Sequence, residues 1–139
     1  MTFETFEHKA DIGVRGQGKT LEGAFSDAAK AMFSIEINLE KVRATKKIKI
    51  KCSAENIEEL FVEWLNSLLA QASLHEMVFS DFEVKIDEKK NELIGIAGGE
   101  KLNESHEPKL EIKAATYSQL KVFLDKKTKE WVAQCIVDV

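Results

Sequence analysis

The run from Asn56 to Ala72 constrains this chain more than any other segment. Asn56 with Glu59 three residues on reads as a capping box, Ser53 being the alternative cap. Ile57, Leu60, Phe61, Trp64, Leu65, Leu68, Leu69 and Ala72 follow at helical spacing. Val62 and Leu69 widen the apolar arc on one side and Leu60 on the other, to roughly half the circumference or more at ~100° per residue. A helix covered on one face does not need that width. Thr20 caps an earlier helix running to about Ile35, with Leu21, Ala24, Phe25, Ala28, Met32 and Ile35 on one face and Ala29, Ala31 and Phe33 broadening it. Two such helices call for sheet on more than one side, or a sheet curled around them.

The rest of the chain supplies strands. Phe3–His8 and Ile12–Gln17 read as an N-terminal hairpin, and Val42, Ala44, Ile48, Ile50 and Cys52, with lysines between the last three, as a strand with one wet face. Phe82, Val84 and Ile86 alternate, Asp87 to Asn91 turns, and Leu93 to Ala97 returns. Gly98 to Lys101 and Asn103 to Pro108 read as a long loop. Leu110, Ile112 and Ala114 resume the alternation. Leu120, Val122 and Leu124, the turn Asp125 to Lys129 and a closing strand Glu130 to Val139 complete the chain, with no polar tail after the last strand. The expected fold is α+β: one domain over residues 1–139, two helices packed against and partly enclosed by mixed, mostly antiparallel sheet.

A length of 139 residues is enough to bury a core without disulfides or a structural metal. Apolar residues at 44% and charged residues at 32% describe an ordinary soluble protein, expected in the cytoplasm. No segment approaches membrane-spanning length, and the acidic, alternating N-terminus is no signal peptide. The net charge of −4 argues against general affinity for nucleic-acid backbone, so no direct sequence-specific nucleic-acid binding is expected and an RNA-related role would run through a protein partner. Cys52 and Cys135 occupy apolar strand positions without ligand-like spacing, as buried free thiols of a reducing compartment do.

Little here builds an enzyme. There is no Gly-x-Ser-x-Gly, and the three histidines lie in separate segments. Gly13-x-x-x-x-Gly18-Lys19-Thr20 has phosphate-loop spacing, but a strand lies inside the would-be loop and no buried parallel strand feeds it, so a glycine-bearing strand followed by the Thr20 cap is the better reading. His75 ends the second helix, where an imidazole interacts favourably with the dipole. His106 falls in a polar loop and is expected to be solvated. For Asp11 two readings stand. In one it caps turn backbone while His8 donates to a nearby carbonyl. In the other it joins Asp138 and the Val139 carboxylate, two carboxylates on adjacent residues of a strand tip, as an all-oxygen site for a hard cation such as Ca²⁺ or Mg²⁺.

Several segments together carry a family resemblance. Phe6-Glu7-His8-Lys9-Ala10-Asp11-Ile12-Gly13 resembles the N-terminal signature of the archease family. Leu21 to Phe25 with Ala28 to Phe33, and Glu59 to Leu69, are similar to its two helices. Gly99-Glu100 with His106, Lys113-Ala114-Ala115-Thr116-Tyr117 and Val137-Asp138-Val139 are similar to its later motifs. The resemblance implies a protein that is not itself an enzyme but a metal-binding cofactor of the GTP-dependent, RtcB-type tRNA-splicing RNA ligase, promoting guanylylation of the ligase histidine and multiple turnover. The alternative it implies is a chaperone of a tRNA cytosine methyltransferase, with a structural carboxylate cluster. The family's metal site maps onto Asp11, Asp138 and Val139, with His8 supporting from behind the ligands and Ca²⁺ the expected ion, Mg²⁺ or another divalent ion being the alternatives. The chain departs from the family pattern at Lys9, Asn103 and Ser118.

Overall fold

A computed structural model describes residues 3–8 and 11–139, with the side chains of Phe6, Glu7 and His8 left aside. Strands β1 (Phe3–His8) and β2 (Asp11–Gly18) form the expected hairpin. Helix α1 (Leu21–Glu36) follows, its Thr20 side chain accepting from the Gly23 N–H. After a 3-10 turn at Leu39–Lys41 come β3 (Lys46–Ser53) and helix α2 (Ile57–His75). Asn56, not Ser53, caps α2, its side chain accepting from the Glu59 N–H at 2.8 Å. Strands β4 (Met77–Asp87) and β5 (Glu92–Lys101), the two-residue β6 (Ala114–Ala115), β7 (Lys121–Leu124) and β8 (Trp131–Asp138) complete the chain.

The strands make two sheets, β1-β2-β8-β6 with β7 also on β8, and β3-β5-β4, and each described pairing is antiparallel. The broad apolar arcs of the helices are thereby explained. Helix α1 touches β1, β2 and β8 of the first sheet and β4 of the second, while α2 touches β3, β4 and β5 of the second and β6 and β7 of the first. Trp64 is fully buried at the centre and donates its indole N–H to the Phe25 carbonyl of α1 at 3.1 Å, so the largest core side chain leaves no polar atom unpaired. Phe25 and Phe61 meet edge to face at 5.1 Å, and Phe82 lies between Phe33 and Trp64.

Three expectations need correction. Gly98 to Lys101 are not loop: they extend β5 and pair with Met77 to Asp81 across a bulge between Phe79 and Asp81. A side chain at Gly99 would overlap the Val78 carbonyl, so glycine marks a close backbone approach inside a strand. Leu110 and Ile112 do not form a strand. Their segment takes its hydrogen bonds from the end of α1 instead, Lys109 N–H donating to the Glu36 carbonyl and Ile112 N–H to the Glu36 carboxylate, both at 2.8 Å. Val42 and Ala44 precede β3 rather than belonging to it. Gly13 to Gly18 lie wholly within β2, between β1 and β8, which is incompatible with a phosphate loop.

Candidate functional site

The register of β2 and β8 decides what the tip of the first sheet presents. Ile12 faces Val137 and Gly18 faces Trp131. One further step along the same register sets Asp11 opposite Asp138. On the outer edges His8 pairs with Asp11 and Ala114 with Asp138, giving the cross-strand row His8, Asp11, Asp138, Ala114. Residues opposite one another share a face. Val14, Cys135 and Val137 belong to the core, so alternation puts both aspartates on the face turned away from the helices. Arg15 shares that face, bonding Glu4 at 2.7 Å and Gln134 at 2.9 Å.

Two carboxylates directly opposite repel unless a cation or water intervenes. Asp138 is exposed and Asp11 half-buried, which leaves room for either. The backbone beneath is firmly held. Lys113 N–H donates to the Asp138 carbonyl at 2.8 Å, and the Asn66 side chain grips Ala115 by both its N–H and its carbonyl. Val139 is half-buried, and its apolar side chain packs against the core. Among the described residues no three His, Cys, Asp or Glu side chains gather as a metal-binding group. Asp11, Asp138 and a main-chain carboxylate would make an all-oxygen donor set, the kind a hard cation takes together with water. The side chain of His8, and Lys9 and Ala10 altogether, lie outside the described residues.

His106 overturns its expectation. It is wholly buried, not solvated. Asn103 begins a 3-10 turn, and His106, three residues on, reaches back so that Nδ1 accepts from the Asn103 N–H at 3.0 Å. With Nδ1 an acceptor, Nε2 carries the proton and donates to Glu100 Oε2 at 2.9 Å. The same oxygen accepts from the Arg43 N–H at 2.7 Å, and the Arg43 amide and the His106 ring hold the Glu100 carboxyl below its usual range. Asn103 and His106 thus form a capping box in which His stands where the sequence signature has Glu or Gln, so the motif shows in the structure rather than in the sequence. His75 ends α2 as expected, exposed and paired with Gln71. Both cysteines are free. Burial pushes Cys135 up to about 12 and half-buried Cys52 up to about 11, so neither is a nucleophile at neutral pH.

The Archease protein family (MTH1598/TM1083) matches residues 3–139. The chain belongs to the archease family. It is 41% identical over 140 residues to the protein archease of Pyrococcus furiosus, covering 99% of this chain and 98% of that one. The protein archease of Sulfurisphaera tokodaii is 38% identical with the same coverage, and that of Methanosarcina mazei 38% identical over 99% of this chain and 95% of its own. The solution structure of Methanobacterium thermoautotrophicum protein 1598 superposes with a TM-score of 0.85 at 34% identity, covering 99% of this chain and 98% of that one. The two-helix, two-sheet architecture is therefore the archease fold. Among the described residues no helix of this archease is long and apolar enough to cross a membrane.

Proposed function

We propose that this archease is a cytoplasmic, metal-binding protein cofactor of the GTP-dependent, RtcB-type tRNA-splicing RNA ligase, promoting guanylylation of the ligase and its multiple turnover. Family membership supports the general role. The observation that carries the metal-bearing form is the register that sets Asp11 opposite Asp138 at an accessible sheet tip, next to the half-buried Val139. Asp11, Asp138 and the Val139 carboxylate would hold the ion, Ca²⁺ suiting the all-oxygen set and Mg²⁺ or another divalent ion being the alternatives. When bound, such an ion supplies charge neutralisation and open positions for phosphate oxygens.

The test is multiple-turnover ligation by the cognate ligase, with guanylylation followed separately. Asp11→Ala and Asp138→Ala are each expected to abolish stimulation with the melting curve intact, because neither carboxylate packs in the core. Full stimulation by both folded variants rejects the metal tip. Unfolding of either makes the pair structural.

A second reading, chaperoning of a tRNA cytosine methyltransferase, is favoured by a different observation. A cleft of about 740 Å³ opens between the C-terminal part of α2 and residues 108–112, with Leu102 and Leu110 about half exposed at its walls. A chaperone uses exposed apolar surface and no metal. Protection of the methyltransferase from aggregation, unchanged by chelator and lost in Leu102→Ser with Leu110→Ser, selects this reading.

A further inference from the structure

The segment Lys41 to Lys51 holds six of the chain's 20 cationic residues and no acid, although the protein as a whole is net negative. Lys41, Arg43, Lys46, Lys47, Lys49 and Lys51 are all exposed. Strand β3 is an edge of its sheet, and its alternation sorts the residues cleanly: Ile48, Ile50 and Cys52 pack toward the core, while Lys47, Lys49 and Lys51 form a column on the outer face. Their pitch is two residues of strand, roughly 6.7 Å. Among the described residues the ion pairs are Arg15 with Glu4 and His106 with Glu100, so no lysine of the column is held by an internal carboxylate. Asp81 and Glu83 do share the face, in register with Lys47 and Lys49 through Gly98 and Ile96. They stand two strands away, roughly 10 Å, beyond the screening length at physiological salt. In the next row Lys85 faces Lys51 across Ile94, and Asp87 and Glu92 stand one row beyond on the same face, where they close the positive column at that end.

We propose that the outer column of β3 is a contact surface for the phosphate backbone of single-stranded RNA. Evenly spaced point charges at this pitch match a repeating anion in an extended strand, and they read no base. An acidic protein is the poorer fit, since lysine is depleted in protein interfaces and the column has no aromatic anchor. With only three to four contacts the affinity is low and strongly salt-dependent, effective when a protein partner already holds the RNA nearby. The overall charge of −4 does not oppose this, because the cations are gathered on one edge. The proposal is independent of the Asp11 and Asp138 tip.

The experiment is fluorescence anisotropy of a labelled oligouridylate titrated with the full chain in chelator, without ligase, over a series of salt concentrations. Binding is expected at low salt with a log–log slope of about −2, three contacts at ~0.7 each. Lys47→Gln, Lys49→Gln and Lys51→Gln together are expected to weaken it about tenfold or more and flatten the slope, each single substitution removing ~0.7 of it. The triple Lys→Arg variant retains binding. A charge-matched control, Lys121→Gln, Lys126→Gln and Lys127→Gln on the β7–β8 hairpin, leaves it unchanged. Equal weakening by the control, absence of binding at low salt, or competition by polyglutamate as effective as by RNA each overturns the proposal. So does a triple Gln variant that keeps its affinity but self-associates, which makes the lysines guards of the sheet edge.

Discussion

His106 and Glu100 are joined at 2.9 Å between Nε2 and Oε2 beneath a surface that the sequence presents as a solvated loop. The pair ties the 3-10 turn at Glu104–His106 to the end of β5, and the His106 carbonyl, accepting from Asn38 N–H at 2.8 Å, ties it to the chain after α1. His106→Ala empties a fully buried site and leaves the Asn103 N–H without its acceptor. The expected cost is about 3 kcal/mol in urea unfolding, a cavity plus an orphaned donor. A loss below about 1 kcal/mol contradicts the cluster described here.

The pH dependence follows from Glu100. The Arg43 N–H, then His106, lower its carboxyl from the ordinary 4.5, so the folded state binds this proton less readily than the unfolded chain. Its contribution is complete above pH 4.5 and is lost as pH falls through the lowered folded value. Burial raises Glu36 and Asp27, which act in the opposite sense, so the raw acid curve mixes the two. The difference in melting temperature between the native chain and Glu100→Gln isolates the Glu100 contribution. It is expected to be constant near neutrality and to shrink toward zero below pH 4.5.

Gly16 is where β2 lies against α1. A methyl group there would run into the Ala24 carbonyl and the backbone of Ala28. Gly16→Ala must push the helix off the sheet, with an expected loss of roughly 1–3 kcal/mol or more in the same unfolding assay. An unchanged midpoint means that α1 seats less closely than the structure has it.

If the Val139 carboxylate is a ligand, a C-terminal extension replaces a charged oxygen pair with one neutral carbonyl and crowds the tip. The expected outcome is weaker divalent-metal binding by calorimetry and weaker ligase stimulation together, with little change in melting temperature in chelator. An N-terminal tag is expected to do far less. An extended chain that binds metal and stimulates as well as the native one removes Val139 from the site and leaves Asp11 and Asp138 to be judged alone.

The sequence was most legible where local chemistry and tertiary packing agree. Thr20 and Asn56 cap the helices as read, and the width of the apolar arcs announced a second sheet. The pairing of the first hairpin with the last strand, which sets Ile12 opposite Val137, follows from strands that long-range partners complete. Reading failed where long-range partners override local preference. Gly98 and Gly99 look like loop residues, and only the backbone of Val78 and Phe79 pressing on Gly99 explains why the strand there must lack a side chain at that position. Leu110 and Ile112 alternate like a strand, yet Glu36 satisfies their segment through its carbonyl and carboxylate. His106 was misjudged because polar neighbours in sequence say nothing about the side chains that fold over it.

Strand β8 is flanked by β2 on one edge and by β6 and β7 on the other, so both sets of its amides are engaged along nearly its whole length. Residues 107–112 hang on a few bonds to the end of α1 at Glu36. Hydrogen exchange then divides the molecule into two tiers. The β8 amides are released only when the whole fold opens, while those of residues 107–112 exchange through local opening. The cleft wall at residues 108–112 can loosen while β2, β6 and the Lys113 bond keep the strand carrying Asp138 in register.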